Sequence, residues 1–271
     1  IIATVLANEI VNMCGPTFPD RLRAAAECDT TSMTVAFEAA RRIFRLDEAW
    51  DAVSGLDLEI PAEAQIALYQ EIAVVLRRQT FWLARRAARQ ETSVGGLIAK
   101  YRPAADALRQ AGGDVLSRFE QGRLEERVKR FIDLGAPEEL ARTVAMLRPL
   151  VATADIGDLA DEAGWSAPAM ARLYHQVGAA FDFDRLRAAA GSVKSGDHFD
   201  RLAVRRLVQD LMTEEMTLTR AVAKTTNEGV GETEAKAEDA VDAWIGQRLP
   251  AVEALRASVD GIEASGAGWT F

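Results

Sequence analysis

Histidine and cysteine are scarce here, two of each in 271 residues. Neither His175 nor His198 has a Glu three positions before it; Arg172 and Ser195 stand there instead. The Glu-x-x-His pairs of a di-iron helix bundle are therefore missing. Cys14 and Cys28 form no CxxC pair, which removes the usual zinc spacing, and two thiols make no disulfide framework in a chain of this size. Such usage points to a reducing cytoplasm. Basic residues are in deficit, 32 Lys and Arg against 41 Asp and Glu, for a net charge of −9. A nucleic-acid-binding module shows the opposite balance. No apolar run approaches the roughly 18 residues that a membrane helix needs. No GxGxxG or GxxxxGK[ST] follows a strand pattern, so the chain has no recognisable dinucleotide or phosphate loop.

β-branched runs are also few, whereas alanine, leucine and arginine dominate, a balance that favours helix. With 49% hydrophobic and 27% charged residues the composition is that of a globular protein. Apolar residues recur at helical spacing nearly throughout, so the expected fold is all-α, an irregular multi-helix bundle of about 10–14 helices with no significant sheet. Gly15-Pro16 ends a first helix, and "TTSMTVAFEAARRIF" begins the next with Thr caps. "LDEAWDAVSGL" closes near Gly55. Pro61 opens a long helix to about Gln90, with Tyr69, Ile72, Leu76, Leu83 and Ala87 on one stripe. Gly95-Gly96, Pro103, Gly112-Gly113, Gly135 and Pro137 then punctuate shorter helices. "APEELARTVAMLRPL" ends at Pro149, and a second long helix runs from about His198 to Lys224. "NEGVGE" reads as a loop, and a last helical pair, broken at Pro250, covers about 232–265. A boundary near residue 150 is expected, giving sub-bundles 1–150 and 151–271, with one continuous domain as the alternative. The opening "IIATVLANEI" lacks a basic flank and a cleavage site, so it is a poor signal peptide. It begins without Met inside an amphipathic pattern, which reads as a piece of a longer polypeptide.

Catalytic constellations do not emerge. Cys14 has no histidine near it in sequence and reads, like Cys28, as a small buried hydrophobe. Asp182 and Asp184 in "FDFD" lie two residues apart and diverge on a helix, so they do not form a Mg-pyrophosphate site. Capping of the next helix by Asp184 is the preferred reading. In "DLADEAGWSAPAMARLYHQV", Ala160, Gly164 and Met170 match helix-turn-helix spacing. However, Asp155, Asp158, Asp161 and Glu162 stand against Arg172 alone, which favours a structural helix pair over a DNA reader. One stretch, "RRQTFWLARRAARQ", is concentrated in cations: Arg77, Arg78, Arg85, Arg86 and Arg89 around Trp82. Arginines near a helix C-terminus complement its dipole and pair with carboxylates, and this end is the candidate interface of the chain.

The phrases themselves carry a resemblance. "IIATVLANEIVNMCGPTFPDRL", "FEAARRIFRLDEAWDAVSGLD", "IPAEAQIALYQEIAVVLRRQTFWL" and "IAKYRPAADAL" resemble the region after the catalytic core in the large bacterial NAD-specific glutamate dehydrogenases. "TADIGDLADEAGWSAPAMARLYHQVGAAFDFDRLRAAA" and "HFDRLAVRRLVQDLMTEEMTLTRAV" extend the likeness over essentially the whole chain. Phe199 stands where relatives often have Trp. Met13-Cys14 replace a commoner polar or Gly pair, which removes any case for a required thiol. The ending "EASGAGWTF" falls shortly before the family's usual C-terminus.

The resemblance implies an enzyme that oxidatively deaminates L-glutamate to 2-oxoglutarate and ammonia and reduces NAD. Its substrate lysines, catalytic Asp and nicotinamide fold would lie upstream, so no catalytic, cofactor or metal residue is assigned here. NAD would serve the parent enzyme. The implied partners are the catalytic core of the same polypeptide and further copies in a homo-oligomer, with no nucleic acid and no membrane. The role of such a domain is structural, oligomerising or regulatory. An independent helical scaffold or adaptor is the alternative.

Overall fold

Proline and glycine set the joints of this chain. The computed structural model describes residues 9–56, 59–90, 93–192 and 198–248, with 254 and 257; side chains of 25, 86–90, 191–192, 198–201, 205, 228, 231 and 234 lie outside that description. Among the described residues every regular element is helical, and no strand occurs. The all-α expectation therefore holds. Two compact units result, one comprising Ile1–Gln110 and Gly122–Ala154, the other Ala111–Gln121 and Asp155–Phe271.

In the first unit a helix over residues 9–14 stops at Gly15, whose φ of 94° turns the chain. Then come α1 (Phe18–Ala26), α2 (Thr30–Ile43), α3 (Leu46–Ser54), α4 (Ala62–Gln90) and α5 (Val94–Ala111). After α6 (Arg118–Asp133) and α7 (Glu138–Met146), a 3-10 turn covers Pro149–Ala152. The 29 residues of α4 make a rod of roughly 43 Å, against which α1, α2, α3 and α7 all pack. Leu68, Ile72, Val75, Leu76 and Leu83 form its buried stripe. On α2 the buried Ala36, Ala39 and Ala40 keep the facing surface low, and Phe37 and Ile43 fill it. Polar clamps finish the packing. Arg148 grips Glu71 with two bonds of 2.6 and 2.8 Å. Arg109 donates to the Phe44 carbonyl at 2.7 Å, satisfying the end of α2.

The second unit holds α8 (Thr153–Ala163), which starts two residues before the unit does, then α9 (Ala167–Ala180), α10 (Phe183–Ser192), α11 (His198–Ala223) and α12 (Glu234–Gly246). Its centre is α9, where Ala169, Met170, Ala171, Leu173, Tyr174, His175, Val177 and Gly178 are all buried. α10, α11 and α12 pack around it. Ser166 caps α9 by accepting from the Ala169 N–H. A helix buried on this many faces offers little side-chain surface to a DNA groove.

Several joints differ from the sequence reading. Asp29, not a threonine, caps α2 by accepting from the Ser32 N–H at 2.7 Å. Gly95, Gly96 and Pro103 lie inside α5 instead of dividing it. The glycines sit in its first turn, where N–H groups have no intrahelical partner, and Ser93 Oγ accepts from Gly96. Pro103 is carried because Leu97, Tyr101, Ala104, Ala105 and Leu108 are buried; that burial outweighs the roughly 3 kcal/mol cost of an interior proline. Part of "NEGVGE" is a 3-10 turn, Glu228–Gly231. The expected break at Pro250 lies outside the described residues.

Gly135 ends α6 at φ 97°, and a Cβ there would meet Pro61 Cγ at 2.8 Å and Cδ at 2.9 Å. Gly135→Ala is expected to destabilise the protein by about 2 kcal/mol or more. Gly122→Ala, inside α6 with open space around it, is expected to stabilise by about 1 kcal/mol. Thermal unfolding of the two variants checks both signs.

Candidate functional site: two buried carboxylates on one arginine

Of the six residues of the sequence-derived interface, Arg77, Arg78, Trp82 and Arg85 have described side chains, and Arg77 does not share the surface of the other three. Arg77 is half-buried, and its Nη1 donates to the Cys14 carbonyl at 3.4 Å, holding the end of the first helix. Arg78 is exposed. Trp82 sets its ring edge-on to Tyr101 at 5.4 Å. The exposed Arg85 lies over the Phe81 ring at 5.7 Å. Spacings of four and three place Arg78, Trp82 and Arg85 on one stripe, about 100° around the helix from Arg77. The side chains of Arg86 and Arg89 lie outside the described residues. Beside Arg77, burial pushes the Cys14 thiol up to about 12, against the opposing pull of that guanidinium. A thiol held protonated is no nucleophile.

A buried polar arrangement lies in the second unit. Asp182 takes the left-handed φ of 57° that turns the chain into α10. Asp184 is therefore not the helix cap that its spacing predicts. It sits in the first turn of α10, 4% exposed, where the helix dipole favours a negative charge. One helical turn later Arg187 reaches back to it and also binds Glu215 of α11, which is fully buried. A second, longer contact joins Arg187 Nη2 to Glu215 Oε1 at 3.5 Å. Tyr174 of α9 donates its hydroxyl to Glu215 Oε2 at 2.9 Å. Ser117, the residue that starts α6, donates Oγ to Asp184 Oδ2 at 2.9 Å. The same Oγ accepts from the Glu120 N–H.

Two carboxylates thus share one guanidinium, and each takes a hydroxyl as well. The helix backbone must come close for this to happen. A Cβ at position 178 would stand 2.6 Å from Glu215 Oε1 and 3.5 Å from Asp184 Oδ2, so any side chain there would push the Glu215 carboxylate out of its present place. His175 lies beside this group, 6% exposed, with Nδ1 unpartnered among the described residues. Burial lowers its pKa to about 4, with Asp184 raising it and Arg187 lowering it further.

Chemically the arrangement is closed. General acid–base work needs a reactant within hydrogen-bond reach of the carboxylate, and these two are sealed from solvent with their oxygens engaged. Among the described residues no three His, Cys, Asp or Glu side chains converge as metal ligands. What the group does is fasten α9, α10, α11 and the start of α6 to one point.

The profile of the family described as "Glutamate dehydrogenase, C-terminal" matches residues 1–268. The chain belongs to that family. A relative in Pseudomonas aeruginosa, named NAD-specific glutamate dehydrogenase, is 28% identical over 265 residues, which are 98% of this chain and 16% of that protein. Another of the same name, in Halomonas elongata, is 27% identical over 222 residues, 82% of this chain and 14% of that protein. The chain therefore spans about one-sixth of the length of these relatives. In this glutamate dehydrogenase C-terminal region Asp184 was visible in sequence with the wrong role, and Glu215 and Arg187 gave no sign. That Glu215 occupies a buried position of α11 is revealed only by the packing of that helix.

Removing Arg187 leaves two buried carboxylates without a counter-charge, so Arg187→Ala is expected to cost about 3–5 kcal/mol, read by denaturant unfolding. His175 gives a pH signature. Unfolded, it takes up its proton near the ordinary 6.5, but folded only near 4. Its contribution, roughly 3 kcal/mol, is complete above pH 6.5 and is lost as pH falls towards 4. His175→Gln should flatten the stability profile across that window, as measured by unfolding at stepped pH.

Proposed function

We propose that the chain is the non-catalytic C-terminal helical domain of an NAD-dependent glutamate dehydrogenase. The parent enzyme converts L-glutamate to 2-oxoglutarate and ammonia while reducing NAD. The observation that carries this reading is one of proportion: a relative with that name matches 98% of this chain, yet the match takes up only 16% of the relative. In this reading the glutamate and nicotinamide sites belong to the remainder of the parent, and the closed polar cluster of this chain supports it. The domain packs on that catalytic core in the cytoplasm and shapes the homo-oligomer, and the stripe of Arg78, Trp82 and Arg85 is the surface assigned to such a contact. Helices resting on a two-domain enzyme can bias the closure of its cleft, a motion that gates many enzymes.

Titration calorimetry of this chain with NAD is expected to give no binding heat, and micromolar affinity would overturn the reading. In the full-length enzyme, deleting the domain should alter the oligomeric state or the glutamate saturation curve. A deletion that changes neither would leave the domain without the proposed role.

A further inference from the structure

Inside the second unit a groove of about 290 Å³ opens beside the C-terminal ends of α8 and α11. Gly164, at φ 73°, turns the chain out of α8, and the Trp165 N–H closes back on the Ala160 carbonyl at 2.9 Å. This is the helix ending in which the residue after the glycine folds over the last turn, and it brings the Trp165 indole to the groove. Leu159 and Ala223 give an apolar floor, 2% and 6% exposed. Glu162, Arg220 and Lys224 form the polar side.

Hydrogen-bonding capacity in this groove is unbalanced. Glu162 accepts from Arg220 Nε at 2.7 Å and faces Lys224 Nζ at 3.7 Å. The bond from Arg220, with the charges of Arg220 and Lys224, holds its carboxyl below the usual range. The Nη groups of Arg220 have no hydrogen bond among the described residues, and Lys224 is two-thirds exposed. Helix C-termini ordinarily repel anions through their carbonyls, but here some of those carbonyls already accept hydrogen bonds. The hydroxyls of Thr225 and Thr226 donate to Val222 O at 2.8 and 3.1 Å. Ala160 O is taken by Trp165. Donors remain in excess, two cations to one carboxylate, next to an aromatic face and an apolar floor.

We propose that this groove binds a small carboxylate with a planar apolar body, the carboxylate on the Arg220 Nη edge and Lys224, the ring against Trp165. A planar fork meeting a carboxylate is the geometry that guanidinium serves best. Glu162 is then an internal competitor for the same cations.

The test is titration of the ¹⁵N-labelled protein, following the Trp165 indole resonance as assigned with Trp165→Phe. The probes are benzoate, its neutral counterpart benzamide, and inorganic phosphate. Benzoate is expected to shift the resonance saturably with a dissociation constant near or below about 1 mM. Benzamide should bind about tenfold weaker or worse, since a charge-assisted bond is lost, and phosphate should bind more weakly than benzoate. Arg220→Met, which keeps the apolar stem on a partly exposed side chain, should weaken benzoate about tenfold or more with unfolding unchanged. Glu162→Gln should tighten it several-fold. The proposal is overturned if benzoate gives no saturable shift, if benzamide matches it, if phosphate outbinds it, or if Arg220→Met and Glu162→Gln both leave its affinity unchanged.

Discussion

A fold whose described elements are all helices creates, at every joint, backbone N–H and carbonyl groups that no helix satisfies. Their partners decide where the helices of each unit can sit. Asp29, Ser166 and Thr233 supply caps by side chain. Arg109 reaches across 65 residues of sequence to the end of α2. Ser117 does two things at once, starting α6 and binding the buried Asp184. Helix packing and helix termination are in this way served by the same side chains.

Charge is used along the same lines. Arg41 gathers Glu9, Glu38 and Asp47 and so ties the first helix to α2 and α3. Arg187 performs the corresponding task in the second unit, more deeply buried. Ion pairs of this kind add little net stability compared with a well-packed apolar core, but they are costly to satisfy in any other arrangement. Their effect is to exclude alternative packings of smooth, alanine-rich helices that could otherwise slide past one another.

Local chemistry was legible in the sequence and long-range pairing was not. Gly15-Pro16, Gly55 and Pro61 announced their joints because turn and helix-end geometry depends on those residue types alone. All-α class followed from periodicity. Pro103 misled because its local penalty is outweighed by burial contributed by distant segments. Asp184 was placed in the right turn but given a capping role, since its true partner Ser117 is 67 residues away and Arg187's second partner, Glu215, is 28 residues from it. Nothing in one-dimensional spacing connects such positions. The family, by contrast, was legible from whole phrases, although those phrases contain no catalytic motif.

The missing side chain at position 178 has a consequence for how this sequence can change over time. The backbone of α9 lies against the Glu215 carboxylate with no space between them, so the two positions share one small volume. A methyl group on α9 requires a shorter acid on α11, and a longer or bulkier group on α11 requires the glycine to stay. Residues 178 and 215, 37 places apart in the chain, therefore each limit the size that the other can take.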